Sequence, residues 1–384
     1  MTGNRTDLLI LGGGLAGGLC ALALKARRPD LRVTIMERDA ALGGNHVWSF
    51  FDSDVDAAAR DWVEPLIERH WDSNEVRFPD HRRLLGDGYN SITSERFDRV
   101  LRETLGPDAI IQGNAADVRP DKVRTEAGDW IEANAVLDMR GFDDRPDGIA
   151  CGWQKFVGQL VEVLGGHGVE RPVIMDADVD QSDGYRFVYL LPFDSTRIFI
   201  EDTYYQDDPV LDRDLLAGRI AAYADAKGWK DARVVHEEEG VLPVVTGGDF
   251  DSFWPSNSAV ARAGVRGGFF HPLTSYSLPS AVDFASWLAD QMPLDGEALE
   301  RKVRARAAAH WRQAWFDRML ARMLFKAADP ADRYRILQRF YRLPAGLIAR
   351  FYAGRSTMAD RLRILAGKPP VSIPRAIRAI LEKS

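Results

Sequence analysis

The segment from Asp7 to Glu37 constrains this chain more than any other. Asp7-Leu8-Leu9-Ile10-Leu11 reads as a buried strand, and Gly12-x-Gly14-x-x-Gly17 follows at once, with Gly13 and Gly18 alongside. Leu19 to Lys25 reads as a helix, and Leu31 to Met36 as a second strand closed by Glu37. Each part has a mechanical reason. Gly12 permits a tight turn, Gly14 lets backbone approach a pyrophosphate, and Gly17 lets helix and strand pack closely. The helix amino terminus turns free N–H groups and a favourable dipole toward phosphates. Glu37 lies 20 residues after Gly17, where a carboxylate holds ribose hydroxyls. An acid there disfavours a 2′-phosphate, so FAD or NAD is expected over NADP, and spacing does not separate those two.

The same segment can mislead. Leu8 to Leu24 is uncharged, follows Arg5 and contains Ala21-Leu22-Ala23, much as a signal peptide would. Its five glycines in a spaced pattern, with Asp7 before them, assign it to the nucleotide turn instead. No other uncharged run is long enough to span a bilayer, so no transmembrane segment is expected. Cys20 and Cys151 are the only cysteines, which implies no disulfide framework and a reducing compartment.

No orderly series of βαβ repeats follows. Residues 41–48 form a turn-rich loop, and Ser94 is placed to cap a helix running through Leu105. Trp130 to Leu137 reads as a strand that ends in Asp138-Met139-Arg140-Gly141. Pro172 to Val179, Tyr185 to Leu191 and Thr196 to Tyr204 then read as strands joined by turns at 180–184 and 193–195, with a further strand possible from His236 to Val245. That pattern predicts an antiparallel sheet distinct from the parallel nucleotide unit. A glycine-rich turn at 264–272 leads into a helix with Ser280 as its expected cap.

Charge is unevenly spread. Residues 301–384 carry 20 Lys+Arg against 5 Asp+Glu, a balance of +15, while residues 1–300 carry 30 against 52, a balance of −22. Either an anionic partner or docking of a basic helical region on the acidic body accounts for this. Trp311, Trp315, Phe316, Met319, Leu320, Met323 and Leu324 recur at helical spacing among Arg312, Arg318 and Arg322. The pattern fits a membrane-surface helix and equally a core-packing one.

Taken in order, LLILGGGLAGGLCAL, GGNHVWSFF at 43–51, LDMRGF at 137–142 and GWQKFVGQ at 152–159 resemble the bacterial lycopene β-cyclases. PVIMDADVDQSDGYRFVYLLPF at 172–193, FIEDT at 199–203, EEGVLPV at 238–244 and GGFFHPLTSYSLPSA at 267–281 extend the resemblance over about residues 7–285. It implies an α/β fold of the FAD monooxygenase and geranylgeranyl reductase class. A Rossmann-type FAD domain is expected from residues 1–75, 91–150 and 255–300. A substrate domain with an antiparallel sheet is expected from 76–90 and 151–254, and a basic helical region from 301–384. It also implies FAD in reduced form, with NAD(P)H as external reductant and no net redox change, in an enzyme of the intramolecular lyase or isomerase class. The reaction would close the ends of lycopene to β-rings, giving γ-carotene and then β-carotene; other acyclic-ended carotenoids are expected substrates. The location implied is the cytoplasmic face of a membrane, held peripherally on an anionic surface. Neither nucleic acid nor metal is expected. Competing classes on the same fold are a redox flavoenzyme, a monooxygenase or prenyl reductase acting on an isoprenoid, and a flavin-bearing carotenoid carrier.

Carried over residue by residue, the cofactor site comprises Gly12, Gly13, Gly14, Leu15, Ala16, Gly17, Glu37, Arg38, Gly43, Gly44, Asp138, Arg140 and Gly141. Gly267, Gly268, Pro272 and Tyr276 join it from the later loop. Trp48, Tyr185, Phe187, Tyr189 and Phe199 are the expected substrate wall, and sheet core is their alternative reading. Strand alternation sends Glu201 and Asp202 to opposite faces, both apolar, so periodicity does not say which face meets substrate. The resemblance picks Glu201 as the acid, against the alternative of a carboxylate paired with an arginine. Asp202, His46 and His271 are candidates for tuning the flavin or relaying a proton, or for structural hydrogen bonding.

Overall fold

The computed structural model describes residues 5–142, 147–181, 184–367 and 371–381. Strand β1 (Thr6–Leu11) lies between β2 (Val33–Glu37) and β3 (Trp130–Asp138), parallel to both. Strand 110–112 extends this sheet beyond β2, strand 261–262 adds to β3, and an antiparallel extension at 115–125 continues it. Helix α1 (Leu15–Arg27) starts directly after Gly14 and buries one turn after another beneath the sheet. The sheet forms here because Leu8, Ile10, Ile35, Ala135 and Leu137 are fully buried with α1 between sheet and later helices.

A second seven-stranded sheet follows, the antiparallel unit expected from the sequence. In spatial order it runs β7 (Arg233–Gly248), β4 (Ile149–Glu162), β6 (Arg197–Gln206), β5 (Tyr185–Pro192), then strands 173–176, 74–78 and 81–85. Pairing is antiparallel throughout except between 173–176 and 74–78. Its two faces bury different things. Tyr185, Phe187, Leu191 and Phe199 pack on one side with the carboxyl-terminal helices. Val157, Val188, Leu190, Ile198 and Ile200 pack on the other against helix 213–226. A third, three-stranded sheet of 47–51, 89–93 and 69–71 bridges the two large ones.

Several sequence expectations shift. The helix of 94–105 is capped not by Ser94 but by Thr93, whose hydroxyl accepts from the Arg96 N–H at 3.3 Å. Helix α2 (Leu278–Gln291) begins two residues before Ser280, because Pro279 suits its first turn and leaves Ser280 inside. β4 is 14 residues long and was hidden in the sequence by burial on both faces. Ser182 and Asp183 of the expected 180–184 turn, and the last residues of the basic tail, lie outside the described residues.

Beyond 300 the chain is helical. In α3 (Trp315–Lys326), Phe316, Leu324 and Phe325 are buried in the same core as one face of the second sheet, and the Arg322 Nε–H donates to the Thr246 carbonyl at 3.0 Å. Trp311 stacks on Phe253. Of the aromatics read as possible membrane contacts, only Trp315 is exposed, at 49%. This segment is therefore core-packing, and it divides between two helices, Gly296–Gln313 and α3, rather than forming one. Among the described residues, no helix is long and apolar enough to cross a membrane.

Candidate active site

One cavity of about 940 Å³ runs between the two large sheets, from the glycine turn after β1 to the aromatic face of β5 and β6. At its nucleotide end Gly12, Gly14, Leu15 and Ala16 meet Glu37, Arg38, Gly43 and Gly44. Glu37 is fixed by two backbone donors, Gly13 at 2.7 Å and Asp39 at 3.1 Å. Gly12 has φ of +100°, and a Cβ there would meet the Met139 carbonyl at 2.9 Å. A Cβ on Gly17 would lie 2.0 Å from the Gly12 oxygen, so the helix seats against the turn only with glycine. A Cβ on Gly14 meets nothing within 4 Å, because that position opens into the cavity. The shape is a backbone cradle facing free space at a helix amino terminus, which suits a pyrophosphate.

Arg140, Gly141 and Tyr276 also line the cavity, whereas Asp138, Gly13, Gly17, Gly267, Gly268 and Pro272 do not. Asp138 works from behind, its carboxylate holding the Arg140 guanidinium at 2.7 and 2.9 Å. Gly13 is packed against Leu42, and Gly267 and Gly268 shape the turn that brings the 264–276 loop alongside. Within that loop Ser275 takes a left-handed φ of 55°, held by the His271 carbonyl and by its own hydroxyl to the Pro243 carbonyl, both at 2.8 Å. Tyr276 donates its hydroxyl proton to buried Asp54, whose carboxyl burial pushes up to about 6.

At the other end, Tyr185, Phe187 and Tyr189 alternate along β5 into the cavity, Tyr185 and Phe187 with stacked rings 5.0 Å apart. Phe199 and Glu201 face the same space from β6, and His46 borders it from the loop before strand 47–51, with Trp48 on that strand. The helical region closes this end with Leu337, Tyr341, Phe351 and Tyr352. The sequence reading passed over these four. Their helical spacing reads as ordinary core, and only the position of the tail over the sheet reveals them.

Glu201 has cavity on its open side and protein on the others. Among the described residues, its carboxyl takes a hydrogen bond from the Thr203 hydroxyl, 2.6 Å away on the same strand face. Burial pushes its carboxyl up to about 7; the Thr203 bond opposes the shift and the Asp202 charge adds to it. Asp202 points the other way, into the face covered by helix 213–226. There the Arg186 guanidinium grips it in a fork of 2.8–3.2 Å, and neither Asp202 nor Arg186 touches the cavity. The arginine-paired carboxylate weighed for Glu201 is thus Asp202, which is a structural ion pair rather than a tuning group. His271 is likewise off the cavity. It is buried against Phe351, its Nδ1 accepts from the Leu273 N–H, and its Nε2 lies 3.8 Å from Asp317. Burial lowers the proton affinity of both His271 and His46, which favours neutral imidazoles.

A carboxyl that sequence reasoning missed shares the cavity. Glu238 on β7 is 3% exposed, and its Oε2 accepts from the Val47 N–H at 2.6 Å. Burial first, and the Glu201 charge second, push its proton affinity well above the ordinary carboxylate range. Its neighbours Glu237 and Glu239 turn to the opposite face, where Arg213 pairs with both. The run of three glutamates therefore reads in sequence as a solvated edge, and alternation against β4 is the signal that separates the middle one.

The arrangement combines a glycine cradle suited to a dinucleotide, an apolar aromatic chamber and a carboxyl whose proton affinity burial raises. The fold is that of the FAD monooxygenase and geranylgeranyl reductase class. A geranylgeranyl bacteriochlorophyll reductase-like protein from Thermoplasma acidophilum superposes with a TM-score of 0.62 at 13% identity, covering 97% of this chain and 98% of that one. The p-nitrophenol 4-monooxygenase of Pseudomonas putida superposes with a TM-score of 0.62 at 16% identity, covering 92% and 99%. In sequence, the lycopene cyclase protein family profile matches residues 7–378. A lycopene beta-cyclase of Pantoea ananas is 44% identical over 375 residues, 98% of each chain. The chain belongs to the lycopene cyclase family.

Proposed function

We propose that the protein is an FAD-dependent lycopene β-cyclase that closes the acyclic ends of lycopene to β-rings, through γ-carotene to β-carotene, with Glu201 as proton donor. The observation that carries this reading is the position of Glu201: a carboxylic acid facing an aromatic-walled chamber that is continuous with the nucleotide cradle. Protonation of the terminal alkene yields a tertiary cation, attack by the internal alkene closes the six-membered ring, and loss of a ring proton leaves the double bond. An alkene is a very weak base, so its donor must be close, dry and protonated. Burial meets that need at Glu201 by disfavouring its charged form. Tyr185, Phe187, Tyr189 and Phe199 line the path with π-faces that attract a desolvated cation by about 2 kcal/mol or more.

FAD fits the open cradle at Gly12 and Gly14, with Glu37 for its ribose and Arg140 and the 264–276 loop along its length. In reduced, anionic form it supplies negative charge beside the developing cation. NAD(P)H would serve only to bring the flavin to that form. Peripheral attachment to an anionic membrane surface belongs to the same reading, since the substrate is a lipid-soluble polyene. Support comes from the +15 balance of residues 301–384 and from apolar side chains left exposed on two tail helices, α4 (Met358–Leu365) and α5 (Ile373–Leu381).

The test is anaerobic incubation of lycopene with the pre-reduced holoenzyme, reading product mass and flavin state together. A cyclic product isomeric with lycopene, with flavin still reduced and no stoichiometric NAD(P)H use, is expected. A product two mass units heavier with the flavin oxidised, or no product until oxygen is admitted and then one carrying oxygen, would replace this reading by a redox one.

A further inference from the structure

The pairing register aligns four positions in one row across the substrate sheet. Tyr189 pairs with Glu201, Glu201 with Gly158, and Gly158 with Glu238. Directly paired residues on neighbouring strands project to the same face, so Glu201 and Glu238 face the same cavity, two interstrand spacings apart, about 10 Å between backbones. Gly158 leaves the space between them free of a side chain from its own strand. The tip of the Phe199 ring occupies it, since a Cβ on Gly158 would stand 2.3 Å from that ring. The row thus sets an aromatic ring between two carboxyls. Gly240, two residues beyond Glu238, likewise gives way to Phe156. Two glycines keep this patch of sheet low, and the aromatics fill it.

We infer that Glu238 is the base of the reaction: it removes the ring proton from the cyclised cation that Glu201 has generated, across the floor formed by Phe199. The inference rests on the reading of Glu201 as donor. The proton count closes. Glu201 gives its proton to the terminal alkene carbon and becomes a carboxylate. Ring closure moves the positive charge to a ring carbon. The Glu238 carboxylate then takes a proton from the adjacent ring carbon, and that C–H electron pair becomes the ring double bond. Glu238 then releases its proton to water and Glu201 takes one up from water, which restores the starting state with no electron gained or lost. Two carboxyls that interact across a buried site hold one proton in common more readily than two charges. Once Glu201 has given up its proton, its charge raises the proton affinity of Glu238, which strengthens the Glu238 carboxylate as a base. The Val47 N–H, a donor only, fixes one Glu238 oxygen as acceptor and anchors the carboxyl to strand 47–51.

The assignment predicts a change of product, not only of rate. The cyclised cation has protons on more than one adjacent carbon, and the placement of the base selects which is lost. Glu238→Gln keeps the acceptor for Val47 while removing the base. The holoenzyme variant, incubated with lycopene and reduced flavin, should retain flavin and turn over on the order of 10²-fold more slowly. Its rings should include isomers with the double bond displaced. Glu238→Asp, which keeps the base but withdraws it, should shift products in the same direction and decides the matter where the glutamine variant does not fold. Folded variants that make only β-rings at the parent rate overturn the assignment. So does a Glu238→Gln enzyme that forms no cyclised product of any kind, since protonation would then need this residue. Failure of the Glu201 reading is separate: Glu201→Gln would cyclise near the parent rate.

Discussion

Glu201 and Asp202 are sequence neighbours on one strand, yet one looks into a lipid-sized cavity and the other is locked by Arg186 beneath a helix. Strand alternation turns a single run of two acids into a chemical group and a structural one. The Arg186 fork satisfies a charge that would otherwise stand unpaired in the apolar face of the sheet.

Asp202→Asn should accordingly cost stability before it costs chemistry. Breaking a buried pair from one side leaves Arg186 uncompensated, a loss of about 3–5 kcal/mol. Urea unfolding should show the free energy of unfolding fall by that amount, while folded enzyme at low temperature still cyclises lycopene.

Gly14→Val should abolish flavin retention without unfolding the protein. The position has open space where the Cβ would go, so the added side chain enters the cavity rather than the core. Far-ultraviolet dichroism should be unchanged and the purified variant colourless. A normally yellow variant would remove the cradle from the cofactor site.

The acid at Glu201 sets a pH dependence of definite sign. Its carboxyl, pushed up to about 7, stays protonated to near neutrality, so the cyclisation rate should fall as pH rises through about 7. The same shift acts on stability. The unfolded chain releases this proton near 4.5 and the folded chain near 7, so the folded state loses stability as pH rises between them. The loss is on the order of 3 kcal/mol at most, less as cavity water screens the charge. Glu201→Gln is spared it, and denaturation at pH 5 and pH 8 should show the variant gaining on the parent at the higher pH.

Membrane attachment should depend on the tail helices rather than on the Trp311–Leu324 segment, whose apolar face is largely spent on the core. Leu362 and Ile377 are 67% and 51% exposed. Flotation with anionic liposomes at low salt should recover the full-length protein, and Leu362→Asp with Ile377→Asp should weaken recovery severalfold. Lack of flotation by the folded parent would dismiss the attachment.

The parts of the site written in local sequence were the legible ones. Strand, glycine turn, helix and Glu37 lie within 31 residues and each has its own steric reason, so Gly12, Gly14 and Glu37 could be assigned roles from the chain alone. Alternation separated Glu201 from Asp202 but could not choose between two apolar faces, because that choice is made by helix 213–226 covering one of them. Glu238 was illegible for a related reason. Its partnership with Glu201 exists only through the register of three strands that are distant in sequence, with Gly158 between them. Tyr341, Phe351 and Tyr352 reach the cavity from a region whose charge fitted either an anionic partner or docking on the acidic body, and neither reading singled them out. His271, for which flavin tuning, proton relay and structural hydrogen bonding all stood open, packs behind the loop rather than in the chamber.

The central claim is that a proton leaves Glu201 for the alkene. The most direct measurement is turnover of lycopene by Glu201→Gln holoenzyme with reduced flavin in deuterated water, counting ring deuterium by mass spectrometry beside the parent. The amide keeps the shape and the Thr203 contact but has no acidic proton. The parent should incorporate one deuterium per ring formed, and the variant should hold flavin yet leave lycopene acyclic, slowed by about 10⁴-fold, the upper end for a general acid. Labelled β-rings formed by the variant near the parent rate would contradict the account.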